Sequence, residues 1–314
     1  MTLKVMRDVL IDEVYHHLHE DRNIFFLSAD FGAPSLDKLR KKFANRFINV
    51  GIAEQNLINV ATGLALEGFT VYAYTISAFI TMRAYEQIRT NLSLMGQTKE
   101  LNVNLIGVGA GLSYNVSGPT HHCLEDITIM RLFPNFIVFS PSDWILVKRF
   151  VDVTLTIRRP KYIRLEGKAV PDIYGDKNDF SFEKGFYELM KGDRVCLVST
   201  GYMTHKALKV VKELLAKNTR IGLIDVFILK PLNKDLLFEV LKKYRRIITL
   251  EEAFIKSGGL DSLIAEILTE RDAGIELKRM GFYDKHVFEL GSREYLHEIN
   301  GLGEQDIIRI VSEA

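Results

Sequence analysis

Along the chain, short runs of β-branched and aromatic residues alternate with longer stretches whose apolar positions recur every three or four residues. The first stretch sets Leu3, Met6, Leu10, Val14 and Leu18 at helical spacing, while Arg7, Asp8, Asp12 and Glu13 interrupt any apolar run. This predicts an amphipathic helix and not a signal peptide. Strands are then predicted over residues 23–29, 46–50, 70–75, 103–108, 136–140 and 162–165, and helices over 36–43, 53–67 and 79–94, with further helical segments between the later strands. Between residues 166 and 192 the period fails, and Pro171, Gly175, Asp176, Asn178 and Asp179 gather as turn formers do. Beyond it, strands are predicted over 194–199, 221–228, 247–251 and 276–280, with helices such as 206–217 and 260–271 between them. This alternation predicts an α/β protein of two three-layer αβα domains, the first on a mostly parallel sheet. The expected division is residues 1–166, a linker over 167–191, and residues 192–314.

The length, 314 residues, allows two domains with their own cores. With 41 Lys+Arg against 40 Asp+Glu the formal charge is +1, so no whole-chain field favours nucleic acid or an anionic membrane. No run approaches the roughly 18 to 20 apolar residues that span a bilayer. The two cysteines, Cys123 and Cys196, make no disulfide framework, and a reducing cytoplasm is the expected setting. There is no internal repeat of fixed period.

Candidate chemistry is ambiguous motif by motif. Gly107-Val108-Gly109-Ala110-Gly111 follows a predicted strand, but Leu112 stands where a dinucleotide fingerprint needs its last glycine, so a tight strand exit is the plainer reading. His16 and His19 share a helix face without further ligands at suitable spacing, as an ordinary solvated face does. Cys123 follows His121 and His122, but sequence neighbours seldom present a nucleophile and its base together, and Cys123 is read as structural. Glu54 lies just after a predicted strand, in the first turn of a helix, on the edge where parallel sheets place their sites. By physics alone the plainer reading is a carboxylate that favours a helix N-terminus. Gly118-Pro119-Thr120-His121-His122 is a turn by composition.

Taken in order, these pieces resemble the C-terminal half of the transketolase family of thiamine diphosphate enzymes, which includes deoxyxylulose phosphate synthase and, more distantly, the β subunits of 2-oxo acid dehydrogenases. The resemblance runs over nearly the whole chain. Its most specific parts are Gly51-Ile52-Ala53-Glu54-Gln55, Arg83-Ala84-Tyr85-Glu86-Gln87-Ile88, Gly118-Pro119-Thr120-His121 and Phe133-Pro134-Asn135 leading to Pro141-Ser142-Asp143. In the second domain they are Leu229-Lys230-Pro231-Leu232 and Leu250-Glu251-Glu252 followed by Gly258-Gly259. The resemblance implies a pyrimidine-binding domain followed by a transketolase C-terminal-type domain. It implies that Glu54 hydrogen-bonds the cofactor's pyrimidine and relays a proton through it. The pyrimidine is expected to stack within residues 79–85, on Phe79 and Tyr85, with Met82 or, after a one-residue shift, Ile80 beside them. For substrate, His121 is expected at the reacting oxygens and Arg164 on a phosphate, with Arg7, Ser35 and Ser117 at other substrate-contacting positions.

Two departures stand out within the resemblance. Ser117 replaces the aspartate that precedes Gly-Pro-Thr-His in transketolases, and Gly109 falls where a second phosphate-contacting histidine is expected. The chain also has no Gly-Asp-Gly, the segment that binds the diphosphate and its metal in this family. The resemblance thus implies a naturally split enzyme. A companion N-terminal subunit would bring the diphosphate site with its Mg²⁺ or Ca²⁺, and the expected assembly is two plus two. Ketol transfer between a ketose and an aldose, with an altered sugar preference, is the expected activity. An acyloin or 1-deoxyketose synthase subunit that decarboxylates a 2-oxo acid, and a scaffold subunit without chemistry, are the alternatives.

Overall fold

The computed structural model describes residues 2–175 and 180–313; Asp176, Asn178 and Asp179 of the expected turn cluster lie outside the described residues. The first half carries strands β1 (Leu3–Val5), β2 (Ile24–Ser28), β3 (Phe47–Asn49), β4 (Thr70–Ile76), β5 (Val103–Val108), β6 (Ile137–Phe139), β7 (Lys161–Leu165) and β8 (Ala169–Pro171). Its helices are α1 (Met6–Glu20), α2 (Pro34–Lys42), α3 (Glu54–Leu66), α4 (Ser77–Met82), α5 (Tyr85–Gln87), α6 (Asp126–Arg131) and α7 (Trp144–Thr156). The second half adds β9 (Phe186–Met190), β10 (Val195–Ser199), β11 (Gly222–Val226), β12 (Ile228–Lys230), β13 (Arg246–Phe254) and β14 (Glu276–Phe282). With them come helices α8 (Met203–Ala216), α9 (Lys234–Leu241), α10 (Leu260–Thr269), α11 (Arg293–Ile299) and α12 (Glu304–Ser312).

The larger sheet runs β12-β6-β7-β5-β4-β2-β3, with every pairing parallel except β12 against β6. Strand β4 shows why two helical layers form. Val71 and Ala73 point into the core with Leu57, Ile58 and Ile80. Tyr72 and Tyr74, one step out of phase, join Met6, Leu10, Leu36 and Phe150 on the other face. The smaller sheet runs β14-β13-β10-β11-β9, parallel but for β9. Val210, Ile307 and Val311 of α8 and α12 cover one face of it, and Leu237, Ile264 and Ile267 of α9 and α10 cover the other.

Three local differences from the sequence pattern matter. The run 221–228 is two strands: β11 lies in the smaller sheet, while β12 crosses over and pairs with β6 of the larger one. The buried Phe227 sits between them, packed with Tyr174 and Phe182, and its burial fixes the change of direction. The stretch 167–191 carries β8, which pairs with β1, and β9, which joins the smaller sheet. The segment 79–94 is interrupted rather than continuous: α4 ends at Met82, α5 starts at Tyr85, and Ile88–Leu94 is π-helical. Thr81 donates its hydroxyl back to the Ser77 carbonyl at 2.7 Å, a side-chain bond that competes with the helix ladder just before the break. The break sends Tyr85 against Phe133, with ring centroids 4.9 Å apart, and leaves Arg83 on the side of Glu54.

Candidate active site

Four loops leaving the carboxyl ends of parallel strands converge beside the point where strand order reverses, between β2 and β4. After β3 the chain turns through Gly51, at φ 76°, and enters α3 with Glu54 as its first residue. Asn49 anchors this turn: its side chain accepts from Gly51 N at 3.0 Å and Asp30 N at 3.1 Å and donates to Asp30 at 2.8 Å. Glu54 is only 4% exposed, and Arg83 Nη1 donates to its Oε1 at 3.4 Å from a side chain that is half exposed. The Arg83 guanidinium also lies over the Phe79 ring, 4.0 Å from its centroid. Phe79 in turn meets the edge of His121 at 5.2 Å. Glu54, Arg83, Phe79 and His121 thus form one continuous rim, with Met82 and Ile52 exposed beside it.

His121 is carried on a loop pinned at its base, where Gly111 and Cys123 exchange both backbone hydrogen bonds at 2.9 and 3.1 Å. Gly118, at φ 77°, makes the turn that lets its carbonyl accept from His121 N at 3.0 Å. Thr120 Oγ1 lies 3.0 Å from His121 Nδ1. Ser117 is exposed at the loop's tip, and the Tyr114 ring meets His121 at 6.5 Å, edge-on. Farther along, Arg7 forks onto Asp8, with Nε and Nη2 each at 3.3 Å from a carboxylate oxygen. Ser35 Oγ donates to the same Asp8 at 2.7 Å. Arg7 is close enough to Tyr74 and Tyr114 to oppose the rise that burial imposes on both phenols.

Other expected site residues lie elsewhere. Arg164 is 3% exposed, with Nε donating to Asp126 at 2.7 Å and Nη2 to the carbonyls of Cys123 at 3.3 Å and Glu252 at 3.1 Å. The expectation that Arg164 holds a substrate phosphate is corrected by this geometry, because a buried, paired guanidinium has no face to offer. Ile80 is wholly buried in the core with Leu57 and Ile58, away from the rim, whereas Met82 is 41% exposed, so of these two alternatives it is Met82 that the structure leaves open. Tyr85 faces Phe133. Cys123 is buried, and burial pushes its thiol well up, which leaves it inert.

The loop's far side rests on a buried seam between the two domains. Glu252 accepts from Arg293 Nε at 2.7 Å, from Arg293 Nη2, from His297 and from Leu112 N at 3.2 Å. Glu166 accepts from Arg293 Nη1 at 2.6 Å, from Ser113 Oγ and from Gly167 N at 3.1 Å. Burial alone would raise the Glu252 carboxyl, but Arg293 and His297 outweigh it and hold the group well below the usual carboxylate range. Any Cβ at Gly111 would run into Glu252, which is why a glycine ends that motif.

Two families match the chain in sequence. Residues 4–171 match the family described as the transketolase pyrimidine-binding domain, and residues 187–307 that described as the transketolase C-terminal domain. The chain belongs to the transketolase family. It is 33% identical over 269 residues to an apulose-4-phosphate transketolase subunit of Actinobacillus succinogenes, covering 85% of this chain and 84% of that one. It is 30% identical over 309 residues to the 6-deoxy-6-sulfo-D-fructose transketolase subunit SqwH of a Clostridium species, covering 98% and 94%. A solved split gene transketolase, described as an inactive beta4 tetramer, superposes with a TM-score of 0.87 at 32% identity, over 99% of this chain and 98% of that one. Campylobacter jejuni transketolase shares the fold with a TM-score of 0.82 at 18% identity, over all of this chain and 47% of that one. The protein is thus a thiamine diphosphate-dependent, transketolase-type transferase subunit, the half that carries the pyrimidine-binding and C-terminal domains.

The transketolase rim fits the pyrimidine part of that cofactor. Glu54 offers a nearly enclosed carboxyl whose one side-chain partner is half exposed, and Phe79 and Met82 offer apolar surface next to it. The Arg83 guanidinium covers the Phe79 face. Arg83 opens one of the segments that carry the resemblance but is given no role by it, and Asp8 lies in none of them; local spacing holds a signal for both, since Phe79 and Arg83 stand four apart on a helical stretch and Asp8 directly follows Arg7.

Proposed function

We propose that this chain is one half of a split transketolase that transfers a two-carbon ketol unit from a ketose to an aldose, with a sugar preference unlike that of enzymes acting on pentose phosphates. The carrying observation is the rim itself, a buried glutamate, a paired but half-exposed arginine, an aromatic face and a histidine in unbroken contact. Thiamine diphosphate, when bound, supplies the nucleophilic carbon that the protein's own side chains lack. Glu54 holds a proton at the pyrimidine edge. Phe79 presents its face to the ring, and Met82 fills beside it. His121, held by Gly118 and Thr120, presents its imidazole to the reacting hydroxyl and carbonyl oxygens of the sugar, next to Ser117 at the loop tip. Arg7 and Ser35 face the sugar's far end through Asp8.

In this reading a companion chain brings the diphosphate site and ligates Mg²⁺ or Ca²⁺, and two copies of each chain assemble with the cofactor at their interface. The names of the relatives support it, since two are called subunits and the solved beta4 tetramer is described as inactive. A cytoplasmic setting belongs to the same reading, and both cysteines are free and buried. The test is reconstitution with a companion that carries Gly-Asp-Gly. Glu54→Gln is expected to lower ketol transfer by about 10²- to 10⁴-fold while assembly and thermal unfolding stay as in the wild type. Wild-type-like turnover in that variant overturns the reading, as does release of CO₂ from pyruvate in place of ketol transfer.

A further inference from the structure

At the end of the site remote from Glu54, the charges cancel. Arg7 spends Nε and Nη2 on Asp8, and the hydroxyl of Ser35 is spent on the same carboxylate. Arg7 and Asp8 are 15% and 29% exposed, so the pair is open to solvent rather than sealed in the core. The groups that act on Arg7 are Asp8 and two phenols. Tyr74 and Tyr114 contribute phenols, and burial pushes Tyr114 up to about 12, so its hydroxyl stays protonated. Gly109 offers no side chain, because the Tyr114 ring occupies the space that a Cβ there would need. Arg164 is locked on Asp126. Lys168 is exposed, with its ammonium turned onto the amide oxygen of Asn115.

A phosphate dianion needs cations that are not already neutralised, and beside Asp8 it meets a like charge. A sugar hydroxyl does not: it can donate to a carboxylate and accept from a guanidinium or a phenol at once. We infer that the Arg7–Asp8–Ser35–Tyr114 end of the site is built for a neutral, hydroxyl-bearing sugar terminus and selects against a terminal phosphate ester. This rests on the ketol-transfer reading above, and makes Asp8 the residue that sets the preference.

The experiment uses the complex with its companion chain, loaded with thiamine diphosphate and Mg²⁺. D-arabinitol and D-arabinitol 5-phosphate are titrated by calorimetry, and D-fructose and D-fructose 6-phosphate are compared as donors. The neutral member of each pair is expected to be favoured by about tenfold or more, in affinity and in kcat/KM. Asp8→Asn, which keeps the shape and an acceptor for Ser35, is expected to narrow or reverse that ratio by about tenfold, chiefly through KM. Asp8→Ala serves as a second variant with the same expectation. Tighter binding of the phosphate ester by the wild type overturns the inference, as does a ratio that neither variant moves. If neither ketose turns over while the calorimetric order holds, the ketol-transfer reading falls and the inference about the Arg7 end stands.

Discussion

The rim at Glu54 and the seam at Arg293 are both built from carboxylates and arginines, and they treat them differently. In the seam all four carboxylate oxygens of Glu252 and Glu166 accept from buried donors, contributed by helix α11, by the loop 109–123 and by backbone amides. At the rim Glu54 shares a single side-chain contact with an arginine that is half in solvent. Closed clusters of the first kind hold domains in register; a buried charge with one loose partner is left to be completed by something else. Arg164 shows how easily the two are confused, since its motif suggests the rim and its contacts place it in the seam.

The comparison is broken most severely by Arg293→Ala. That change strands two buried carboxylates and is expected to cost about 3–5 kcal/mol, a fall in Tm of roughly 10 °C by differential scanning calorimetry. An unchanged Tm would mean that the seam is not holding the domains. Asp225 tests the same boundary by pH. It accepts from Ser142 and Tyr174 of one side and Thr204 of the other, and burial lifts its carboxyl to about 7. Since its folded pKa lies above the unfolded value, its contribution to stability is complete below about pH 4 and is lost as pH rises toward 7. Asp225→Asn should flatten that slope, by about 4 kcal/mol at most, in urea unfolding followed from pH 4 to 8. A slope unaltered by the substitution counts against a buried acid titrating there. The smallest effect belongs to the rim: Arg83→Ala should move stability by less than about 1 kcal/mol. Binding of thiamine diphosphate to the assembled complex should tighten roughly two- to fivefold, because nothing then covers Phe79. A loss of Tm approaching that of Arg293→Ala would make the rim structural.

Glu54 was legible in the sequence because strand, turn and helix lie within a few residues, and position at a strand's carboxyl end is a local property. The alternation of elements made the α/β plan legible for the same reason. Contacts between distant segments were not: Arg293 and Glu252 are 41 residues apart, and Arg293 and Glu166 are 127 apart, with no spacing to announce either pair. Run 221–228 reads as one apolar strand because both of its halves are buried, and only the three-dimensional course of Phe227 divides it between two sheets. The interrupted segment 79–94 kept its helical period while turning Tyr85 and Arg83 to different neighbours.

Strand β12 has a consequence for dissection of the molecule. By lying against β6 it covers what would otherwise be the open edge of the larger sheet, and it is delivered by the second half of the chain. A fragment ending at residue 171 would therefore expose a row of unpaired amides and carbonyls on a buried, apolar strand, and such edges recruit other strands. The first half cannot be excised as a self-sufficient module; the second half acts as its selvage, and any fragment meant to isolate the rim must carry residues 228–230 to remain monodisperse.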